Sequence, residues 1–119
     1  MSAVSANVGD WRGHDVFLAG GDKLGKLEDV YYDADSDEAV FLCVKSSMLS
    51  HKQILVPVGD ATVTPDRVNV PWAADDVEGA PTTRPGEELT ADDEERAFRR
   101  YGMDYTPPAN ESGRRLIRR

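Results

Sequence analysis

Residues 39–45 read A-V-F-L-C-V-K. At the two-residue period of a strand, Val40, Leu42 and Val44 share one face while Phe41 and Cys43 occupy the other. A segment apolar on both faces belongs where neither face meets water, which makes it a strand central in its sheet. From Trp11 to about Pro81 the rest of the sequence supplies neighbours for it, as short strand-like segments separated by turn residues. That pattern is the one expected of a small antiparallel barrel or sandwich. His14 to Ala19 predicts a first strand, Gly20-Gly21-Asp22 a tight turn in which glycine tolerates positive φ, and Leu24 to Asp33 the return strand. Leu27 falls out of step with Val30 and Tyr32, which predicts a bulge near Glu28-Asp29. Ile54, Val56 and Val58 alternate next. Thr62 to Thr64 and Arg67 to Val70 then flank a Thr64-Pro65-Asp66-Arg67 turn, with Val63, Val68 and Val70 expected to face the core.

After Pro71 the stretch W-A-A-D-D-V-E-G-A-P-T-T-R-P-G-E-E has no usable periodicity and reads as a surface strap. It leads into a helix. Thr90 is its expected N-cap, Asp92, Asp93, Glu94 and Glu95 suit the positive end of the helix dipole, Arg96, Arg99 and Arg100 suit the other, and Gly102 stops it. Asp92 with Arg96 and Glu95 with Arg99 have the favoured acid-first i,i+4 spacing. Phe98 and Tyr101 are its only large apolar side chains, a narrow stripe that either rests on the barrel rim or meets a partner. The expected organisation is an N-terminal tail (1–10), a barrel (11–81), strap and helix (82–105), and a disordered arginine-rich tail (106–119).

With 119 residues the chain has room for one core. Its longest apolar run, residues 39–44, is far too short to cross a bilayer. The start M-S-A-V-S-A-N-V-G-D lacks the basic and apolar stretches of a secretory signal, so the expected compartment is the cytoplasm. The single cysteine, Cys43, lies within the apolar run and is expected as a buried core thiol. Net charge is −8, and it is unevenly placed: residues 1–83 hold 6 basic and 14 acidic side chains, residues 84–119 hold 8 of each. An acidic body repels nucleic-acid phosphate and anionic lipid, leaving only the C-terminal arginines for such contacts.

Several motifs suggest chemistry and fail its requirements. Gly20, Gly25 and Lys26 reproduce the G-x-x-x-x-G-K spacing of a phosphate loop, but Leu27 stands where the magnesium-binding hydroxyl belongs and no helix pattern follows. The stretch therefore reads as a hairpin. Asp33, Asp35, Asp37 and Glu38 begin like a calcium loop, yet Glu38 replaces the required glycine and Val44 the bidentate glutamate, so a solvated turn is expected. His51 beside Ser46, Ser47 and Ser50 lies in an interstrand loop without a nucleophile elbow or oxyanion pattern. One cysteine and two separated histidines do not make a zinc site. Trp11 and Trp72 flank the barrel as rim or core packing. No catalytic residue, cofactor or metal site is expected.

The stretches W-R-G-H-D-V (11–16), G-D-K-L-G-K-L-E-D-V-Y-Y-D (21–33), A-V-F-L-C-V-K (39–45), I-L-V-P-V (54–58) and D-R-V-N-V-P (66–71) together resemble the PRC-barrel family. The continuation, with A-P (80–81), E-L-T (88–90) and Y-G-M (101–103), is similar to small bacterial proteins in which such a barrel carries a C-terminal helix. The resemblance implies a mostly antiparallel β-barrel acting as an adaptor, without catalytic residues, in which Gly21, Gly25, Asp29 and Asp33 shape the hairpin. Three functional expectations follow. The first is a cytoplasmic, non-enzymatic protein that binds another protein or forms a homodimer, with Phe98 and Tyr101 as docking residues. The second is an RNA- or ribosome-associated factor using Arg114, Arg115, Arg118 and Arg119. The third is a sensor that holds a metal at Asp33, Asp35 and Asp37 or a small molecule in the barrel.

Overall fold

A computed structural model describes residues 11–34, 36–46, 52–59, 61–77, 79–84, 89–105 and 115–118. The described residues form eight strands and two helices: β1 (Asp15–Phe17), β2 (Lys23–Asp33), β3 (Ala39–Lys45), β4 (Gln53–Pro57), β5 (Thr62–Thr64), β6 (Arg67–Asn69), α1 (Ala74–Val77), β7 (Thr82–Thr83), α2 (Ala91–Arg100) and β8 (Leu116–Arg118). They build one mainly antiparallel sheet in the order β5-β6-β1-β2-β3-β4-β7, with β8 added to β2. The mainly β fold with a C-terminal helix agrees with expectation; the sheet stays open, and its β1–β6 pair is parallel.

The twice-apolar strand is central, with β2 on one side and β4 on the other. Its two faces serve two cores, which corrects the expectation of a single core from chain length. Leu42 and Val44 join Val16, Leu27, Val30, Val56 and Val68 in one, closed at its margin by Trp11, Val70 and Val77. Phe41 and Cys43 join Tyr31, Leu55, Leu89, Phe98 and Leu116 in the other. Val40 departs from the expected alternation and packs with the second group. The pairs Tyr31↔Phe41 and Tyr32↔Ala39 leave it as the extra residue of a bulge, which shifts it off the face of Leu42.

The predicted bulge in β2 is present, since Leu27↔Val44 is followed by Asp29↔Cys43 with Glu28 unpaired. Gly21 closes the β1–β2 turn at φ 94°, donating to the Leu18 carbonyl at 2.9 Å. Gly25 meets a different constraint, because a Cβ there would stand 2.1 Å from the Lys45 carbonyl oxygen. Only glycine lets β2 and β3 approach this closely.

Two expectations about the later chain need correction. Val63 lies opposite Val68 but remains 36% exposed, because β5 is the last strand of the sheet and, among the described residues, pairs only with β6. The strap after Pro71 holds structure: Val77 of α1 is buried, and β7 pairs with β4 through Gln53↔Thr83 and Ile54↔Thr82. The N-terminal tail, the loop with Ser47, Ser50 and His51, and Asp35 lie outside the described residues.

Candidate functional site

Of the expected docking residues, Phe98 sits on α2 and Tyr101 caps the C-terminal end of that helix. The Thr90 hydroxyl caps it by accepting from the Asp93 amide at 3.1 Å, and Gly102, at φ 68°, ends it with its amide on the Arg99 carbonyl. Glu94, Ala97, Phe98 and Tyr101 recur at helical spacing and form its inner face. Phe98 is 3% exposed and meets the Phe41 ring edge-on at 5.4 Å. The Tyr101 hydroxyl donates to the Leu55 carbonyl at 2.6 Å, and its ring lies 5.2 Å from Trp72. Burial pushes the Tyr101 phenol up to about 12, against the pull of Arg100.

Glu94 is fully buried on the same face. Its Oε1 accepts from the Tyr105 hydroxyl at 3.0 Å, and its Oε2 from the backbone amides of Arg115 at 2.8 Å and Leu116 at 2.7 Å. One carboxylate thereby receives the C-terminal strand as it returns to the sheet, and three donors satisfy a charge that would otherwise be costly to bury. Arg115 adds a second tether. Its Nε donates to Asp33 Oδ2 at 3.1 Å, while its guanidinium carbon lies 5.2 Å from the Phe98 ring centre. Asp33 Oδ1 accepts from the Ser36 amide, so the same side chain fixes the β2–β3 turn. Tyr105 has its phenol raised to about 12, first by burial and then by its hydrogen bond to Glu94.

These contacts correct the reading of the chain's end. Residues 116–118, expected within a disordered tail, form β8, paired to β2 as Tyr31↔Arg118, Tyr32↔Ile117 and Asp33↔Leu116. Leu116 is fully buried in the second core, which gives this strand an apolar reason to stay. Phe98 and Tyr101, expected as a stripe for the rim or for a partner, rest on the chain's own sheet. Arg115 is engaged within the chain; Arg118 contributes backbone pairing, and Arg114 and Arg119 lie outside the described residues.

Of the hairpin residues, Asp33 belongs to this site, while Gly21, Gly25 and Asp29 occupy a separate region. Asp29 lies 3.7 Å from Arg12 and accepts from the Val30 amide, so it braces the bulge. Among the described residues, no group of three or more His, Cys, Asp or Glu is placed to hold a metal ion, and no helix is long and apolar enough to cross a membrane. At the far end of the sheet, all three residues of β5 are exposed, and Val63 is the one exposed large apolar side chain among the described residues.

Sequence reasoning missed Glu94, Tyr105 and Leu116 as a connected group. A signal for Glu94 existed: it precedes Phe98 by four residues and so shares its buried face, even though its charge also suits the helix's first turn. Nothing local announces that the amides it receives lie more than twenty residues onward.

The arrangement offers apolar packing, backbone hydrogen bonds and a buried carboxylate already saturated with donors, which is structural rather than reactive chemistry. A search of curated proteins finds no match. A family model, PRC-barrel domain, matches residues 5–77, and these span the hairpin, the bulges of β2 and β3 and the β5–β6 turn. The chain belongs to the PRC-barrel domain family.

Proposed function

We propose that this protein works without chemistry of its own, as a PRC-barrel adaptor that binds another protein or a second copy of itself. The observation that carries this reading is the β5 edge. Thr62, Val63 and Thr64 are exposed, β5 ends the sheet, and its only strand partner among the described residues is β6. An edge strand presents unpaired amides and carbonyls that a strand from another chain can complete, and Val63 adds an apolar side chain to the contact. Phe98 and Tyr101 are withdrawn as docking residues because their rings are committed to the second core.

The test is a tagged pull-down of the full chain from native lysate, with and without nuclease, beside light scattering across micromolar concentrations. Val63→Lys serves as the control, since a charge at an exposed edge discourages strand pairing and leaves the fold intact. A partner or dimer that survives nuclease and is lost in the variant supports the reading. A monomer with no nuclease-resistant protein partner removes it.

A further inference from the structure

The lysines of the hairpin raise a separate question. The sequence has four lysines, Lys23, Lys26, Lys45 and Lys52, and the first three line one pocket of about 520 Å³ with Leu24, Gly25 and Glu28. Lys26 and Lys45 are direct cross-strand neighbours on β2 and β3. Like charges placed opposite one another destabilise a sheet. In a chain of net charge −8, carboxylates to offset them are plentiful, yet ion pairs among the described residues reach only Lys23, through Asp15 at 3.2 Å. The nearby Glu28 carboxylate instead accepts from the Gln53 amide at 2.9 Å. Protection of a sheet edge does not account for the pair, because β2 and β3 are interior strands.

The backbone is shaped around the same spot. Val16↔Gly25 followed by Phe17↔Lys23 leaves Leu24 as an extra residue, and Glu28 is extra against β3, so two bulges of β2 bracket Gly25 to Leu27. Bulges redirect the side chains beside them. At Gly25 the close approach of Lys45 keeps the pocket wall to bare backbone.

We propose that this pocket binds a small phosphate-bearing anion. Ammonium groups hold phosphate oxygens as point charges, and the arriving charge offsets the repulsion between Lys26 and Lys45. The volume lies within the range of small-ligand sites, roughly 300–1,000 Å³, and leaves space for an organic group against Leu24. The chain's net charge of −8 works against an extended polyanion, so the ligand is small. The site differs from a phosphate loop, since its charge comes from strand side chains and not from amides at a helix start. It is also independent of the β5 edge.

The experiment titrates the full-length protein with inorganic phosphate, pyrophosphate and glycerol phosphate at constant ionic strength, followed residue by residue through amide chemical shifts. The expected result is saturable movement confined to residues 23–28 and 44–46, with pyrophosphate binding tighter than phosphate. Lys26→Gln with Lys45→Gln should weaken binding by about tenfold or more. Without anion, the same double variant should melt at or above the parent temperature, which separates lost binding from lost fold. Linear shifts spread over Arg12, Arg67 and Arg99, or binding unchanged in the double variant, overturn the proposal.

Discussion

On one face of β3, Leu42 and Val44 join an apolar core built from β1, β2, β4 and β6 and closed at its margin by Trp11, Val70 and Val77. On the other, Phe41 and Cys43 meet a core that is finished by α2 and β8 and has the buried Glu94 carboxylate at its margin. The same seven residues therefore serve two kinds of cohesion. The first core is assembled by strand pairing and burial, which are non-directional and shared among many side chains. The second depends on a few directional contacts, with Glu94 joining helix to strand and Asp33 joining strand to turn. Cores closed by few contacts open locally before the whole molecule unfolds.

The largest way to break this contrast is Phe98→Ala. It removes the ring that meets Phe41, Tyr105 and the Arg115 guanidinium. The expected cost is about 3–5 kcal/mol by urea unfolding. Amide exchange should accelerate at Leu116 and Ile117 while Val56 and Val68 keep their protection. Equal acceleration in both sets would show that the two cores unfold as one unit.

Glu94→Gln sharpens the contrast with less loss of volume. The amide keeps one acceptor but loses the charge that receives the Arg115 and Leu116 amides and the Tyr105 hydroxyl. A destabilisation of about 1.5–3 kcal/mol is expected, again with faster exchange confined to β8 and α2. If β8 keeps its protection, ladder pairing with β2 alone holds the strand. In the first core the matching perturbation is Gly25→Ala. The new Cβ collides with the Lys45 carbonyl, and the expected loss of about 1–3 kcal/mol should appear as a lower unfolding midpoint with all core amides affected together.

The two regions also differ in how well the sequence announces them. The hairpin is written locally: alternation marks β2 and β3, Leu27 out of step marks the bulge at Glu28, and Gly21 marks the turn. The Thr90 cap and Gly102 stop are legible for the same reason, since each acts within one turn of the helix. Distant partners are another matter. The parallel β1–β6 pair joins residues about fifty apart, and no periodicity in either segment names the other. Leu116 sits among arginines in a short segment, so composition reads it as tail; its burial depends on a groove built by β2 and α2. Val63 alternates like a core residue, and its exposure follows from edge position, which is a property of the whole sheet.

The smallest expected effect is an alkaline one, and it tests the same division without a deletion. Tyr101 and Tyr105 both pack on the second core, and both phenols are raised to about 12, chiefly by burial. In the unfolded chain a tyrosine ionises near pH 10. Between about pH 10 and 12 the unfolded chain has released these protons while the folded protein still holds them, so stability falls as pH rises through that window and is unaffected below it. Phenolate absorbance should therefore rise in step with loss of α2 helicity, while the first core keeps its amide protection. Tyr101→Phe and Tyr105→Phe each remove one of the two groups. The comparison lies in the slope of stability against pH, because each variant also loses a hydrogen bond at neutral pH. A slope that flattens in each variant assigns the alkaline weakness to the helix side of the molecule, and an unchanged slope assigns it elsewhere.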